Sequence, residues 1–240
     1  MTQPGLLETE FIYEEAPYPS CHASTIVQAG SRLLASWFGG THEKNPDVGI
    51  WVATWKAGKW ATPECVATGE DPETGKPLPC WNPVLFQPED GPLMLFYKVG
   101  PNCADWWGMM TTSDNGGKTW KPPSQLPKGV WGPIKNKPVE LDSGMMVCPS
   151  STEYSGWRVH FELSLDFGST WMAGSPINDG SDFAAIQPTI LKLPQNRLLA
   201  LCRTKQGRLA QTLSADEGLG WSELKRSSLP NPDSGVAAVT

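Results

Sequence analysis

The 240-residue chain is short of most features that mark a specialised partner. It has no run of lysine or arginine, and its formal net charge is −6. Phosphate backbones are held by clustered cations, so nucleic acid is not an expected partner. There is no basic amphipathic helix for a membrane surface. No apolar stretch approaches the ~18 residues that a spanning helix needs, so no membrane partner is expected. None of the six cysteines (Cys21, Cys65, Cys80, Cys103, Cys148 and Cys202) stands in a C-x-x-C pair. That excludes a zinc knuckle, and no other cluster has metal spacing. Neither a metal nor a cofactor is expected. The opening MTQPGLLETEF has no charged n-region and no apolar h-region. The expectation is therefore a chain without a visible leader, in the cytoplasm or a compartment the sequence does not name, with reduced thiols packed as small apolar groups.

What the chain has in excess is glycine (24), proline (23) and tryptophan (12). Glycine and proline at this density punctuate many turns and leave little room for long helices. The tryptophans are spaced. Three octets end on one: SDNGGKTW (Ser113–Trp120), SLDFGSTW (Ser164–Trp171) and SADEGLGW (Ser214–Trp221). The closing residues are 51 and 50 apart, and a worn copy, VATWKAGKW, ends on Trp60. Upstream of each lies an apolar strand, a polar turn and a second apolar strand. The third position of each opening strand is Ser24, Pro83, Pro138 or Pro188, lying 36, 37, 33 and 33 residues before its tryptophan. Two independent features thus keep one register through four units.

A third strand leads into each octet and a fourth leaves it. Four strands per ~50 residues is the arithmetic of a β-propeller blade. One blade cannot bury both faces of its small sheet, so neighbours must stack around an axis. The expected blades are 21–70, 80–128, 135–178 and 185–230. Residues 9–15 (TEFIYEE) and 234–240 (SGVAAVT) read as strands of incomplete blades. Exposed blade faces and strand edges predict oligomerisation or poor solubility.

Within the octet, Asp166 and Asp216 are suited to accept hydrogen bonds from turn amides. Gly168 and Gly218 suit a left-handed backbone, and the final Trp suits a wedge between sheets. These segments resemble the Asp-box (BNR) repeats of the sialidase superfamily, S-x-D-x-G-x-T-W. SLDFGSTW matches every fixed position. SADEGLGW departs at Gly220, and SDNGGKTW puts Asn115 where the acid stands, keeping Gly117 and Trp120. The likeness runs from about Phe11 to Thr240. It implies an all-β fold, a six-bladed propeller of sialidase type, of which this chain holds about four blades with flanking strands. It also implies that the boxes (Asp166, Gly168, Trp171; Asp216, Gly218, Trp221; Asn115, Gly117, Trp120) are structural and face away from the active site.

The opposite face, the propeller mouth, is built by first-strand starts and by strand-two to strand-three loops. It is polar and aromatic, as a sugar site requires. Sialidases hold a carboxylate with three arginines. They use a Tyr nucleophile assisted by Glu and an Asp acid/base, an exception among glycosidases. By resemblance, Asp47 takes the acid/base place, with Glu43 close by. Arg203 takes the second arginine's place, with Arg208 as rival. His22 stands where the first arginine is expected, and Gln187 where the glutamate is expected. An imidazole lacks the permanently charged fork that arginine offers a carboxylate.

The residues read three ways. One is a glycoside hydrolase acting on an acidic sugar, with His22, Asp47 and Glu43 as catalytic candidates. Its substrate-binding set is Arg203, Lys137, Asn136, Gln187, Trp81, Asn82, Glu153 and Arg208. The second is a polysaccharide lyase using the same groups. The third is a non-catalytic propeller that binds carbohydrate or protein.

Overall fold

The structure is a computed structural model that describes residues 7–239. Among these residues there is no helix; the chain forms four successive antiparallel sheets and one small ribbon. The first blade comprises β1 (Ser20–Ala29), β2 (Arg32–Gly40), β3 (Gly49–Lys56), β4 (Lys59–Trp60) and β5 (Glu64–Ala67), the last two both pairing with β3. The ribbon β6 (Gly69–Glu70) and β7 (Pro77–Leu78) follows. Blade two is β8 (Cys80–Phe86), β9 (Leu93–Val99), β10 (Trp107–Ser113) and β11 (Ser124–Gln125). Blade three is β12 (Val139–Glu140), β13 (Met146–Thr152), β14 (Arg158–Ser164) and β15 (Met172–Ala173). Blade four is β16 (Ala185–Leu193), β17 (Arg197–Thr204), β18 (Arg208–Ser214) and β19 (Lys225–Pro230). Each is a meander of sequential neighbours, the partial sialidase-type propeller that the repeat implies.

The central strands are buried on both faces because a blade lies on each side. Blades one and two enclose Leu34, Ile50, Leu85 and Leu95. Blades two and three enclose Val84, Phe96, Met146 and Cys148. Blades three and four enclose Val147, Phe161, Leu198 and Ala200. Each fully buried side chain of this size contributes about 1.5–3 kcal/mol.

The octets close these seams. In SLDFGSTW, Gly168 N donates to Ser164 Oγ (2.8 Å), and Thr170 N and Oγ1 donate to the Asp166 carboxylate (both 2.7 Å). Trp171 Nε1 donates to Gly168 O (2.8 Å) and its ring meets Phe96 of the preceding blade edge-on. SADEGLGW repeats the ring through Asp216, and Trp221 stacks on Phe161 with centroids 3.6 Å apart. In SDNGGKTW, Asn115 Oδ1 accepts from Thr119 N, as the aspartate oxygen does elsewhere. Gly168, Gly218 and Gly117 all have φ of 82–88°. A Cβ there would lie 2.8 Å from Met110 Sδ, 3.0 Å from Val147 Cγ1 and 2.3 Å from Leu34 Cδ2 respectively, each in the preceding blade. Glycine is thus required twice over, by backbone and by approach.

Two expected strands do not form. Residues 9–15 carry no strand pairing. Instead Ile12 and Tyr13 lie on Trp37 and Trp51 over the outer side of blade one, and Trp60 Nε1 donates to Glu10 Oε1. Residues 234–239 are also without a strand, while Thr240 lies outside the described residues. Side-chain contacts, such as Thr189 Oγ1 with Ala238, hold that segment without a ladder.

Candidate functional site

The mouth is shaped by bulges. Register slips between His22 and Thr25, Trp81 and Val84, and Ile186 and Thr189, in the opening strands of blades one, two and four. Ala23, Asn82 and Gln187 sit in these bulges with φ of 57°, 41° and 52°. A left-handed non-glycine residue costs about 1–2 kcal/mol. A bulge re-aims the side chains around it, which is why such features recur beside sites. The blade-four bulge is held from both sides. Asn136 Nδ2 donates to Gln187 O and Pro188 O (both 3.0 Å), and Gln187 N donates to Ser151 Oγ (3.2 Å).

Between blades three and four the bulge meets a charged aromatic cluster. Arg203, at the end of β17, donates from Nε to Asp233 (3.0 Å) and from Nη1 to Gln187 Oε1 (3.3 Å). Its guanidinium lies 4.9 Å from the Trp157 ring centroid, and Lys205 Nζ lies 4.3 Å from it. Both are within cation–π range. The ring is fixed through its backbone: Asn178 Nδ2 donates to Trp157 O (2.7 Å) and Phe183 O (2.6 Å), while Asn178 Oδ1 accepts from Val159 N. Gly156 and Gly180 let the two loops touch, with a Cβ on either falling 3.3–3.5 Å from the other's backbone.

Glu153 follows β13 and is half-buried. Burial pushes its carboxyl above the usual range; Trp157 hydrogen bonding and the charges of Arg203 and Lys205 pull it back, and Asp233 adds to the rise. The Cys103 thiol, pushed up to about 12 mainly by burial, also feels Glu153, Glu43 and Lys44.

The other expected residues are placed as follows. His22 is exposed, edge-on to Phe38, and lines an open cavity of about 720 Å³ with Phe11, Tyr13, Cys21 and Trp37. Asp47 is exposed, and its carboxylate accepts from Thr41 N and Thr41 Oγ1 (2.6 Å), tying its own loop. Glu43 is exposed beside His42. Lys137 lines an open axial cavity of about 410 Å³ with Lys135 and Thr189, and burial lowers the pKa of both lysines. Arg208 donates to Ser228 O, tying β18 to β19.

Two substrate-binding expectations, Trp81 and Asn82, need correction. Trp81 is buried, donating to Gly100 O and packed on Phe38 and Trp106, so it offers no sugar platform. Asn82 is buried too. The blade-two bulge lies beside Trp81 and Asn82, and Trp81 finds its partners in the seam. Asn136 is buried as well, its amide engaged by the blade-four bulge, but it lines the axial cavity beside Lys137. Trp157, Lys205, Asp233 and Asn178 were not singled out. Trp157 and Lys205 do lie in the mouth loops CPSSTEYSGW and CRTKQGR, and an aromatic facing two cations across neighbouring loops was the available signal.

The BNR repeat-like domain family matches residues 31–240. No curated protein sequence matches the chain. Among solved structures, a mutant of the NanB sialidase from Streptococcus pneumoniae aligns with a TM-score of 0.79 at 13% identity, over 95% of this chain and 56% of its own. A Hadza microbial sialidase aligns with a TM-score of 0.71 at 16% identity, over 87% and 47%. A protein of unknown function from Dyadobacter fermentans aligns with a TM-score of 0.72 at 16% identity, over 88% and 70%. At these identities the likeness is one of fold. The chain spans about half the length of the two sialidases.

Proposed function

The chain belongs to the BNR repeat-like domain family, and from that premise we propose that it is a sialidase-like glycan-processing protein, a glycoside hydrolase acting on an acidic sugar at the propeller mouth. One observation carries the reading. Arg203 is held over Trp157 by Asp233 and Gln187, at the mouth, with Lys205 beside it. A guanidinium fixed on an aromatic face is pre-organised for a carboxylate and loses little freedom on binding it. Glu43, Asp47 and His22 are the proton-handling candidates of blade one, and Lys137 supplies a second cation at the axis. The arrangement departs from that of a sialidase at His22 and Gln187. The reading is therefore an acidic-sugar hydrolase rather than a sialic acid hydrolase in particular.

A turnover screen tests this. The full chain should cleave glycosides of glucuronic, galacturonic or N-acetylneuraminic acid and leave their neutral counterparts intact. Arg203→Met should raise KM for the acidic sugar about tenfold or more, the loss of one charge-assisted pair at 1.5–3 kcal/mol. Equal turnover of neutral sugars, or an unchanged KM, would overturn it. A non-catalytic glycan-binding role is favoured by the exposed His22 and the amide at Gln187. Saturable binding without turnover of any glycoside would establish that alternative.

A further inference from the structure

We propose that the axial cavity is an anion site, in which Lys135 and Lys137 together hold a compact oxyanion: a phosphate, a sulfate or a carboxylate. The inference goes beyond the mouth reading above, because it concerns binding at the axis and needs no turnover.

The connector from blade two to blade three builds the site. In the stretch IKNKP the two lysines stand on either side of Asn136. Lys135 has a φ of 67°, uncommon for a residue other than glycine. Asn136 N donates to Ile134 O (2.8 Å), which closes a tight turn. The Asn136 side chain is drawn into the blade-four bulge, where Nδ2 donates to Gln187 O and Pro188 O. The two lysines are left lining the cavity of about 410 Å³, with Ser24 and Thr25 of blade one and Thr189 of blade four.

That cavity lacks a negative charge. None of its lining residues is an aspartate or a glutamate, and neither lysine makes an ion pair among the described residues. Yet the chain carries a net charge of −6, and two lysines elsewhere find carboxylates. Lys121 Nζ lies 2.8 Å from Asp114, and Lys192 Nζ lies 3.7 Å from Asp142. Hydrogen-bond capacity is also unfilled. An ammonium has three N–H groups to donate. Lys135 Nζ donates to Asn136 Oδ1 (3.3 Å) and Val236 O (3.1 Å), which leaves one. Lys137 donates to no protein group among the described residues. Two like charges facing one partly enclosed space repel, and partial burial costs each of them hydration. Burial accordingly lowers the pKa of both lysines, with no carboxylate to restore them. An oxyanion between them supplies the missing charge and the missing acceptors at once.

The wall of the cavity is fixed as well. Gly235 lets the chain pass close to Lys135, since a Cβ there would fall 2.7 Å from Lys135 Cε. Thr189 Oγ1 donates to Ala238 O (3.4 Å) and accepts from Ala238 N (3.1 Å). Residues 237–239 thereby line one side of the cavity. A lysine braced in this way has less freedom to lose on binding.

Calorimetric titration of the full chain at pH 7 and low chloride tests the site, with inorganic phosphate in one arm and glucuronate in the other. Phosphate should bind saturably. Lys135→Met and Lys137→Met should each weaken it about tenfold or more, the loss of one charge-assisted contact, and the double variant should abolish it. Lys121→Met removes the same charge from a lysine outside the cavity and should leave the affinity within about twofold. If Lys135→Met fails to fold, Lys137→Met decides, because the Lys137 ammonium holds no protein group in place. Glucuronate binding with the same dependence on the lysines would support the site and identify its occupant as the acidic group of a glycan. Lysine-dependent binding of phosphate alone would support it as a site for a free ion. Three results would overturn it: no saturable binding of either probe, an affinity that neither lysine substitution changes, or an equal loss in Lys121→Met. None of these measurements reads turnover, so the hydrolase reading stands or falls on its own screen.

Discussion

At the residue scale, the octets show one ring of hydrogen bonds built from two chemistries. Asp166 accepts from Thr170 twice, and Asn115 replaces one of these by donating from Nδ2 to Thr119 Oγ1 at 2.7 Å. The carboxylate is therefore not essential to the turn. It does carry a pH dependence. Hydrogen bonds from the Thr170 side chain and amide hold the Asp166 carboxyl below the usual range. A group depressed in the folded state stabilises it above the unfolded pKa of about 3.9, and that contribution is lost as pH falls through the folded value. Asp166→Asn should melt close to wild type at neutral pH, and the gap should shift in favour of Asn under acid. Asp166→Ala should melt lower at both. Thermal melts at pH 7 and pH 3 compare the three, and an Asn variant as impaired as Ala at neutral pH would refute the argument.

The box residues were legible because their roles are local: a turn, a left-handed glycine and a wedge lie within eight residues. Trp81 and Asn82 were misread for the opposite reason. Whether a residue at a strand start faces the axis or a seam depends on a bulge one residue wide. A one-residue slip reverses every side chain beyond it. That slip is held by distant groups, such as the contacts from Thr25 Oγ1 to Leu85 N and from Ser151 Oγ to Gln187 N. Nothing in the local pattern announces them.

At the element scale, the seam between blades two and three carries a buried polar network that the alternation of strands does not explain. Lys98 on β9 is fully buried, donating to Pro133 O at 3.0 Å. Glu162 on β14 accepts from Trp131 N, Gly132 N and His160. These contacts fix the connector from blade two to blade three, since a buried carboxylate satisfied by backbone amides is costly to displace. Burial pulls the Lys98 ammonium down to about 7, against the attraction of Glu162. Between that value and the ordinary 10.5 the unfolded chain binds a proton that the folded chain does not. Stability from this residue therefore rises with pH across that window. Burial lowers Lys135 and Lys137 in the same sense. The buried thiols act oppositely once the unfolded thiols ionise, so the comparison belongs between about pH 7 and 8. Urea unfolding should show ΔG rising over that range, with a clearly smaller slope for Lys98→Met. An unchanged slope would place the titrating group elsewhere.

The expected strand at residues 9–15 belongs to this scale as well. Its alternation is real, but a strand needs an edge to pair with, and the pattern of one segment cannot show whether that edge is there. The segment instead serves as cover. Tyr18 Oη accepts from Trp37 Nε1, and Tyr13 lies 5.4 Å from the Trp37 ring centroid. The outer side of blade one is thereby shielded by side chains alone.

At the scale of the whole molecule, the repeat made the architecture readable while the mouth was readable only in part. Spacing reports stacking because every blade meets its neighbour in the same way, whereas chemistry collects where neighbours differ. Blade four shows what the stacking leaves open. Leu198, Ala200, Cys202 and Ala210 face blade three. By alternation Leu199, Leu201, Leu209 and Leu213 face the other way, Leu201 and Leu209 buried and Leu199 and Leu213 not. Among the described residues no blade packs on that side, and Leu213 is 48% exposed, with Leu229 on the outer strand at 49%. Blade one has its aromatic segment; on blade four the 234–239 segment touches Thr189, while Leu213 and Leu229 stay about half exposed. Exposed Leu213 and Leu229 beside the unpaired edge of the outer strand favour contact with another copy, both by burying apolar area and by pairing at the edge. The chain should therefore self-associate, its weight-average mass rising with concentration in sedimentation experiments. Leu213→Glu should lower that association, because each interface would have to bury an unpaired carboxylate. Asp166→Asn, on the opposite side of a filled seam, should leave it unchanged. A wild-type chain that stays a monodisperse monomer across the concentration series would show that this face is tolerated by water as it stands.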